Sequence, residues 1–305
     1  MRPAYLELCE SGEIETRIKE LYAMLSDCEL CPRRCGVNRL KGEVGFCRSS
    51  AKLKVASAHP HFGEEDVLVG THGSGTIFLS NCNLGCVFCQ NYDISHLGVG
   101  YEVSEAELAE MMLELQRLGC HNINFVTPTH FTPQIVAAIK IAAERGLRVP
   151  IVYNCGGYES VQTLRLLEGI IDIYMPDIKY SRAESAEKYS KARDYFEVCK
   201  SAVREMHRQV GDLVTDEGIA VRGLLIRHLV MPNDVAGSEE ILRFVAELSK
   251  NTYINIMFQY RPMFKAYEYE EINRTVKISE YRKVVETAVK LGLWRQLPPA
   301  EAGGF

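Results

Sequence analysis

Ser80-Asn81-Cys82-Asn83-Leu84-Gly85-Cys86-Val87-Phe88-Cys89-Gln90-Asn91 follows the strand-like run Thr76-Ile77-Phe78-Leu79 and sets three cysteines within eight residues. The pattern is Cys-x3-Cys-x2-Cys on a loop, so the three sulfurs can share one metal centre. Thiolates are soft ligands that suit iron–sulfur clusters, zinc or copper(I). A closed zinc site or an ordinary ferredoxin cluster takes four protein ligands. A cubane held only by Cys82, Cys86 and Cys89 therefore keeps one iron for a ligand from outside the chain. A zinc site completed by His96 or Cys120 is the competing reading.

With Phe88 just before its last cysteine, this motif resembles the signature of the radical S-adenosylmethionine (SAM) enzymes. The resemblance implies a [4Fe–4S] cluster whose open iron is chelated by the amino and carboxylate groups of SAM. It further implies that one electron cleaves SAM to methionine and a 5′-deoxyadenosyl radical, which takes a hydrogen atom from the substrate.

Composition sets the limits. A chain of 305 residues with 47% hydrophobic and 25% charged side chains reads as globular and long enough for an α/β barrel. The net charge of −5, without a basic block, gives no footprint for nucleic acid or an anionic membrane. No signal-peptide core and no run of about 18 apolar residues occurs, so a cytoplasmic protein is expected. Eleven cysteines then read as metal ligands and reduced thiols rather than disulfides.

Before the motif, Ile14, Ile18, Leu21, Tyr22 and Leu25 predict one amphipathic helix over 13–26. Cys28, Cys31, Cys35 and Cys47 follow, with glycines that let the chain turn tightly and almost no apolar core. That makes a metal-organised segment, either a second iron–sulfur cluster or a structural zinc, with unligated thiols as the remaining alternative. His59-Pro60-His61 and the acidic Gly63-Glu64-Glu65-Asp66 read as a surface β-connection, with metal binding by the two histidines as the alternative. The expected division is a cysteine-rich segment over 1–70 and a core over 71–305.

From Thr76 strands and helices alternate, which predicts a parallel sheet with crossover helices. Strands are expected at Thr76 to Leu79, Asn122 to Val126, Val149 to Tyr153, Ile170 to Met175, Leu224 to Val230 and Tyr253 to Phe258. Helices are expected after Ser104, whose Ser-x-x-Glu is a capping box, from Thr132-Pro133, and around 159–168, 184–210, 238–250 and 279–291. Six βα units fit the partial (β/α)6 barrel that the resemblance supplies, an α/β fold with polar strand ends at the active site. Past Cys199 no cysteine remains for a C-terminal cluster extension, and the chain runs out through Leu297-Pro298-Pro299.

The strand ends resemble the branch that contains pyruvate formate-lyase activating enzyme. Thr127-Pro128-Thr129-His130 stands where radical SAM enzymes often carry a Gly-Gly-Glu stretch for the SAM amino group, so Asn124, Thr127 or backbone carbonyls are implied in its place; Thr127 and His130 are pocket candidates, with a simple turn and helix start as the alternative. Asn154-Cys155-Gly156-Gly157 replaces Asp-Thr-Asn-Gly, with the glycines expected to let a ligand approach the backbone. Met175-Pro176-Asp177-Ile178-Lys179 matches Leu-Asp-Leu-Lys. Asp177 and Lys179 share a side by the two-residue period, either as a partner for a zwitterion or as a structural ion pair. Arg227 is the implied SAM contact on strand five, with His228 facing the other way. Tyr260 and Arg261 stand where the branch has Tyr-His and are expected to bind SAM. The implied partners are a flavodoxin- or ferredoxin-type reductant and either a glycyl radical enzyme or a small-molecule or peptide substrate.

Overall fold

The computed structural model describes residues 2–296, so the Leu297-Pro298-Pro299 tail lies outside the described residues. Its strands are β1 (Leu53–His61), β2 (Ser74–Leu79), β3 (Tyr101–Val103), β4 (Ile123–Val126), β5 (Ile151–Cys155), β6 (Ile173–Pro176), β7 (Val214–Asp216), β8 (Ile219–Leu229) and β9 (Tyr253–Met257). β2, β4, β5, β6, β8 and β9 are parallel and adjacent in that order. These are the six strands expected from the sequence. Their residues are almost continuously buried, as in a parallel sheet covered on both faces.

The helices are α1 (Tyr5–Ser11), α2 (Glu13–Ala23), α3 (Asp66–Val69), α4 (Tyr92–Ser95), α5 (Glu105–Arg117), α6 (Thr132–Glu144), α7 (Val161–Leu166), α8 (Ala183–Ser190), α9 (Tyr195–Val210), α10 (Ser238–Leu248) and α11 (Ile278–Lys290). Crossovers through α5, α6, α7, α8–α9 and α10 join the parallel strands, and α11 follows β9. The predicted capping box on α5 forms: Ser104 Oγ accepts from the Glu107 amide, and Glu107 Oε2 accepts from the Ser104 amide. On α9, Cys199, Ala202, Val203, Met206 and Val210 make the buried stripe. Among the described residues, no helix is long and apolar enough to cross a membrane.

Several expectations are corrected. The helix expected over 13–26 forms as α2 but stops at Ala23, and α1, which was not expected, precedes it across Gly12 in a left-handed conformation. The helix expected over 184–210 is broken, at Lys191 with φ 51°. The helix expected from Thr132-Pro133 does start at Thr132, whose hydroxyl donates to the Thr129 carbonyl at 3.0 Å. β6 begins at Ile173, not Ile170, because the turn out of α7 carries on to Asp172. That buried carboxylate accepts from the Ala4 and Ile151 amides, both at 2.9 Å.

The largest correction is β1. His59-Pro60-His61 is the end of a nine-residue strand that pairs antiparallel with β2, from Val55 opposite Leu79 to His61 opposite Ser74. β3 borders β1 only over Leu53–Val55. Pro60 thus sits on a sheet edge, where a missing N–H is tolerated. With β1 on the far side of β2, the sheet remains an open, partial barrel.

Candidate active site

Cys82, Cys86 and Cys89 line a cavity of ≈ 330 Å³ shared with residues at the C-terminal ends of all six parallel strands, including Leu79, Val126, Asn154, Asp177, Leu229 and Met257. Each sulfur has a donor. The Leu84 amide donates to Cys82 Sγ at 3.3 Å, Ser190 Oγ to Cys86 Sγ at 3.2 Å and Ser95 Oγ to Cys89 Sγ at 3.1 Å. Burial, then the neighbouring Cys86, pushes the Cys82 thiol up to about 12, and burial likewise raises Cys89. Thiols so placed ionise at the expense of a bound metal's charge.

The ligands proposed for a zinc alternative are engaged elsewhere. His96 Nε2 lies 2.9 Å from the Cys86 carbonyl and its ring stacks on Phe264 at 4.3 Å. Cys120 Sγ donates to the His72 carbonyl. Among the described residues, no three His, Cys, Asp or Glu groups close on a single ion. A cubane makes no such demand, because each thiolate binds its own iron. The soft donor set, the buried sulfurs and the shared cavity fit a three-cysteine cluster with SAM beside it.

Opposite the cysteines lies a buried charge network. Arg227 donates from Nε to Asp177 Oδ1 at 2.7 Å, from Nη1 to Glu64 Oε1 at 2.7 Å and from Nη2 to Asn154 Oδ1 at 2.8 Å. Lys179 Nζ donates to Asp177 Oδ2 at 2.8 Å, so the pair does share one side. Burial works against the Asp177 charge, but Arg227 and Lys179 hold its carboxyl down at about 2. Lys179 is held above its ordinary value by Asp177 and Cys86 against the opposing effect of burial.

Glu64 was missed. Read as part of a surface turn, it reaches over the strand ends and also accepts from Asn124 Nδ2 at 2.9 Å and Asn154 Nδ2 at 3.1 Å. Glu65 beside it is buried too, and both its oxygens accept from Asn255 Nδ2. Local sequence carries no signal for this. A polar turn reads as surface until the antiparallel return of β1 places it above the sheet.

The remaining candidates divide. Thr127 lines the cavity with φ 61°, an unusual state for a β-branched residue and a mark of a constrained site. Asn124 lies behind Glu64 with its Oδ1 buried and unpartnered. Phe88 packs beneath the loop against Tyr180, Tyr189 and Tyr260. Tyr260 belongs to that packing: it is buried, and its hydroxyl donates to the Ile272 carbonyl at 2.8 Å. Arg261 is exposed, while Gln259 lines the cavity in its stead.

His130 is turned away from this cavity. Its Nε2 lies 2.8 Å from the Ser80 carbonyl, and it lines a second, small cavity with Cys28, Cys31, Cys35 and Cys47. His228 is buried on the opposite face, between the Ile178 carbonyl and Ser238 Oγ. Gly157 has a packing reason rather than a ligand-binding one. At φ +74° it faces the Asp177 carbonyl, which an added Cβ would meet at 2.7 Å.

An open parallel barrel with three loop cysteines and a charged mouth defines a metal-dependent SAM enzyme. Residues 76–231 match the radical SAM superfamily, and the chain belongs to it. The chain is similar to "Uncharacterized protein MJ0674" of Methanocaldococcus jannaschii, 34% identical over 295 residues that cover 94% of this chain and 82% of that one. It is also similar to "Uncharacterized protein MJ0808" of the same organism, 27% identical over 196 residues, 57% of this chain and 56% of the other.

Proposed function

We propose that this radical SAM enzyme activates a partner protein by hydrogen abstraction at a glycine Cα, in the manner of pyruvate formate-lyase activating enzyme. The observation that carries the chemistry is the single cavity holding Cys82, Cys86 and Cys89 opposite Asn154, Asp177, Lys179 and Arg227. When bound, a [4Fe–4S] cluster and SAM supply one-electron cleavage of SAM and a 5′-deoxyadenosyl radical. The chain's own part is binding, orientation and exclusion of water.

Cys82, Cys86 and Cys89 hold the cluster, with Leu84, Ser95 and Ser190 donating to their sulfurs. Asp177 and Arg227 offer opposite charges to the ammonium and carboxylate of the methionyl group, and Lys179 adds a second cation. Leu79, Val126, Leu229 and Met257 give the cavity apolar walls that limit water around a reactive species. A flavodoxin- or ferredoxin-type reductant in the cytoplasm supplies the electron. Cys28, Cys31, Cys35 and Cys47 add a second iron–sulfur centre.

Exposed apolar side chains beside the cavity support a protein substrate. Phe62 follows His61, Leu97 lies two residues past Ser95, and Phe258 lies between Met257 and Gln259, all neighbours that line the cavity. Such exposed residues suit a macromolecular contact. The test is anaerobic turnover with dithionite and a candidate glycyl radical protein deuterated at glycine. Label in 5′-deoxyadenosine supports the reading. SAM cleavage without label transfer from any such protein shifts it to a metabolite or peptide, and no SAM cleavage by cluster-loaded protein removes it.

A further inference from the structure

Four cysteines, Cys28, Cys31, Cys35 and Cys47, line one small cavity in a segment whose regular structure is a single 3₁₀ turn over Arg39–Lys41. Two buried polar groups end in the same cavity without a partner. Arg39, 1% exposed, leaves Nε unbonded, and His130, 2% exposed, leaves Nδ1 unbonded. The Arg39 guanidinium is bonded only to the Ser50 and His130 carbonyls and, at 3.9 Å, to Cys28 Sγ. A buried cation needs an anion, and the groups at hand able to supply one are the thiols. Gly45 allows the closing loop to press onto Cys35, whose Sγ an added Cβ would meet at 2.6 Å. Thiolates bound to metal meet both demands.

This cavity is tied to the Cys82–Cys89 loop by residues within two positions of its cysteines. Arg33, between Cys31 and Cys35, donates from Nε to the Asn83 carbonyl at 3.0 Å and from Nη2 to the Leu84 carbonyl at 3.2 Å. It also donates at 2.7 Å to the carbonyl of Ser190, the residue whose hydroxyl donates to Cys86 Sγ. Arg48, next to Cys47, donates at 3.0 Å to the carbonyl of Ser95, whose hydroxyl donates to Cys89 Sγ. Ser49 Oγ accepts from Asn81 Nδ2 at 2.9 Å. Every sulfur of the SAM-cluster loop is thus two hydrogen bonds from the four-cysteine segment.

We propose that Cys28, Cys31, Cys35 and Cys47 hold an iron–sulfur centre, each thiolate on its own iron, whose assembly positions the SAM-cluster loop, with Arg33, Arg48 and Ser49 as the positioning residues. This rests on the radical SAM reading above and adds a dependence of one centre on the other. A segment with so little core is ordered by its metal. Ordering it fixes the backbone from which Arg33 and Arg48 reach.

The test uses full-length protein reconstituted anaerobically, as wild type, as the Cys31→Ser/Cys35→Ser double variant and as Arg33→Ala. Iron, sulfide and zinc are measured, with electron paramagnetic resonance of the reduced protein with and without SAM and the Kd for SAM. Wild type should hold iron and sulfide beyond the SAM cluster, and zinc in their place would overturn the iron–sulfur assignment. The double variant should lose that centre and also show an altered SAM-cluster signal. Arg33→Ala keeps all four thiols, so it should retain the second centre yet show the same altered signal and a roughly tenfold weaker Kd, the scale of lost charge-assisted hydrogen bonds. Should the double variant misfold, Arg33→Ala decides alone. Wild type with a full SAM cluster and no other metal, or both variants with an unchanged signal and Kd, would overturn the proposal. Wild type with both centres but no SAM cleavage would sink the functional reading instead.

Discussion

Arg227 and Glu64 meet at 2.7 Å across 163 positions of sequence, joining the end of β8 to the loop between β1 and α3. The pair is largely buried and carries Asn124, Asn154 and Asp177 with it. Glu64→Ala leaves the guanidinium short of a partner in a desolvated site, a change that typically costs roughly 3–5 kcal/mol. Thermal melts should show that loss, and Glu64→Gln, whose one amide oxygen can accept from Arg227 or from the two asparagines but not from both, should recover only a small part of it.

Arg227→Lys tests the fork rather than the charge. The guanidinium serves three acceptors on three segments, and a lysine can point at one. The KM for SAM should rise roughly tenfold or more while cluster content stays near wild type. An unchanged KM would remove Arg227 from the binding site.

Cys82→Ala, Cys86→Ala and Cys89→Ala should each abolish formation of 5′-deoxyadenosine and methionine from SAM under dithionite. Product assays by chromatography settle the point. Residual turnover in any of them would mean that another group completes the cluster.

Glu159 gives a pH dependence. Burial raises its carboxyl from 4.5 to about 7, against hydrogen bonds from Thr129 and Tyr153. Below 4.5 the folded and unfolded chains both carry the proton. Between 4.5 and about 7 the unfolded chain releases it and the folded one retains it, so stability falls as pH rises, by roughly 3 kcal/mol in all, and then levels off. Asp172, raised to about 6 by burial, adds a decline of the same sign. Melting temperatures from pH 5 to 8 should therefore fall, and Glu159→Gln should flatten part of the slope.

Gly157→Ala should destabilise the protein by about 1–3 kcal/mol. The new Cβ would meet the Asp177 carbonyl at 2.7 Å and Cys199 Sγ at 2.8 Å, in a backbone state that L residues rarely adopt. Denaturant melts measure it, and a shift of the Asp177 backbone should also weaken SAM binding.

The parallel core was legible because local signals agree there. Strand-length apolar runs, the Ser104 capping box and polar strand ends each point to the same βα unit, and all six such strands occur. The cysteine loop was legible from spacing alone, and Asp177 and Lys179 from the two-residue period. What escaped depends on distant partners. Glu64 reads as a surface acid until β1 folds back along β2, and Pro60 disguises that strand. Tyr260 and Arg261 were placed by analogy of position, yet the chain past β9 turns Tyr260 into the aromatic packing beneath Phe88 and leaves Arg261 in solvent. For His130 both a pocket role and a simple turn into the next helix were open, and its position after β4 says nothing about which way its ring turns; it lies in the turn and faces the four-cysteine cavity.

The antiparallel return of β1 has a practical side for anyone trimming the chain. A version started at residue 71 would strip the flank of β2 and expose six residues of unpaired backbone on an apolar strand, the kind of raw margin through which sheets of separate molecules stick together. Such a fragment should precipitate or form higher oligomers even with every SAM-cluster cysteine intact.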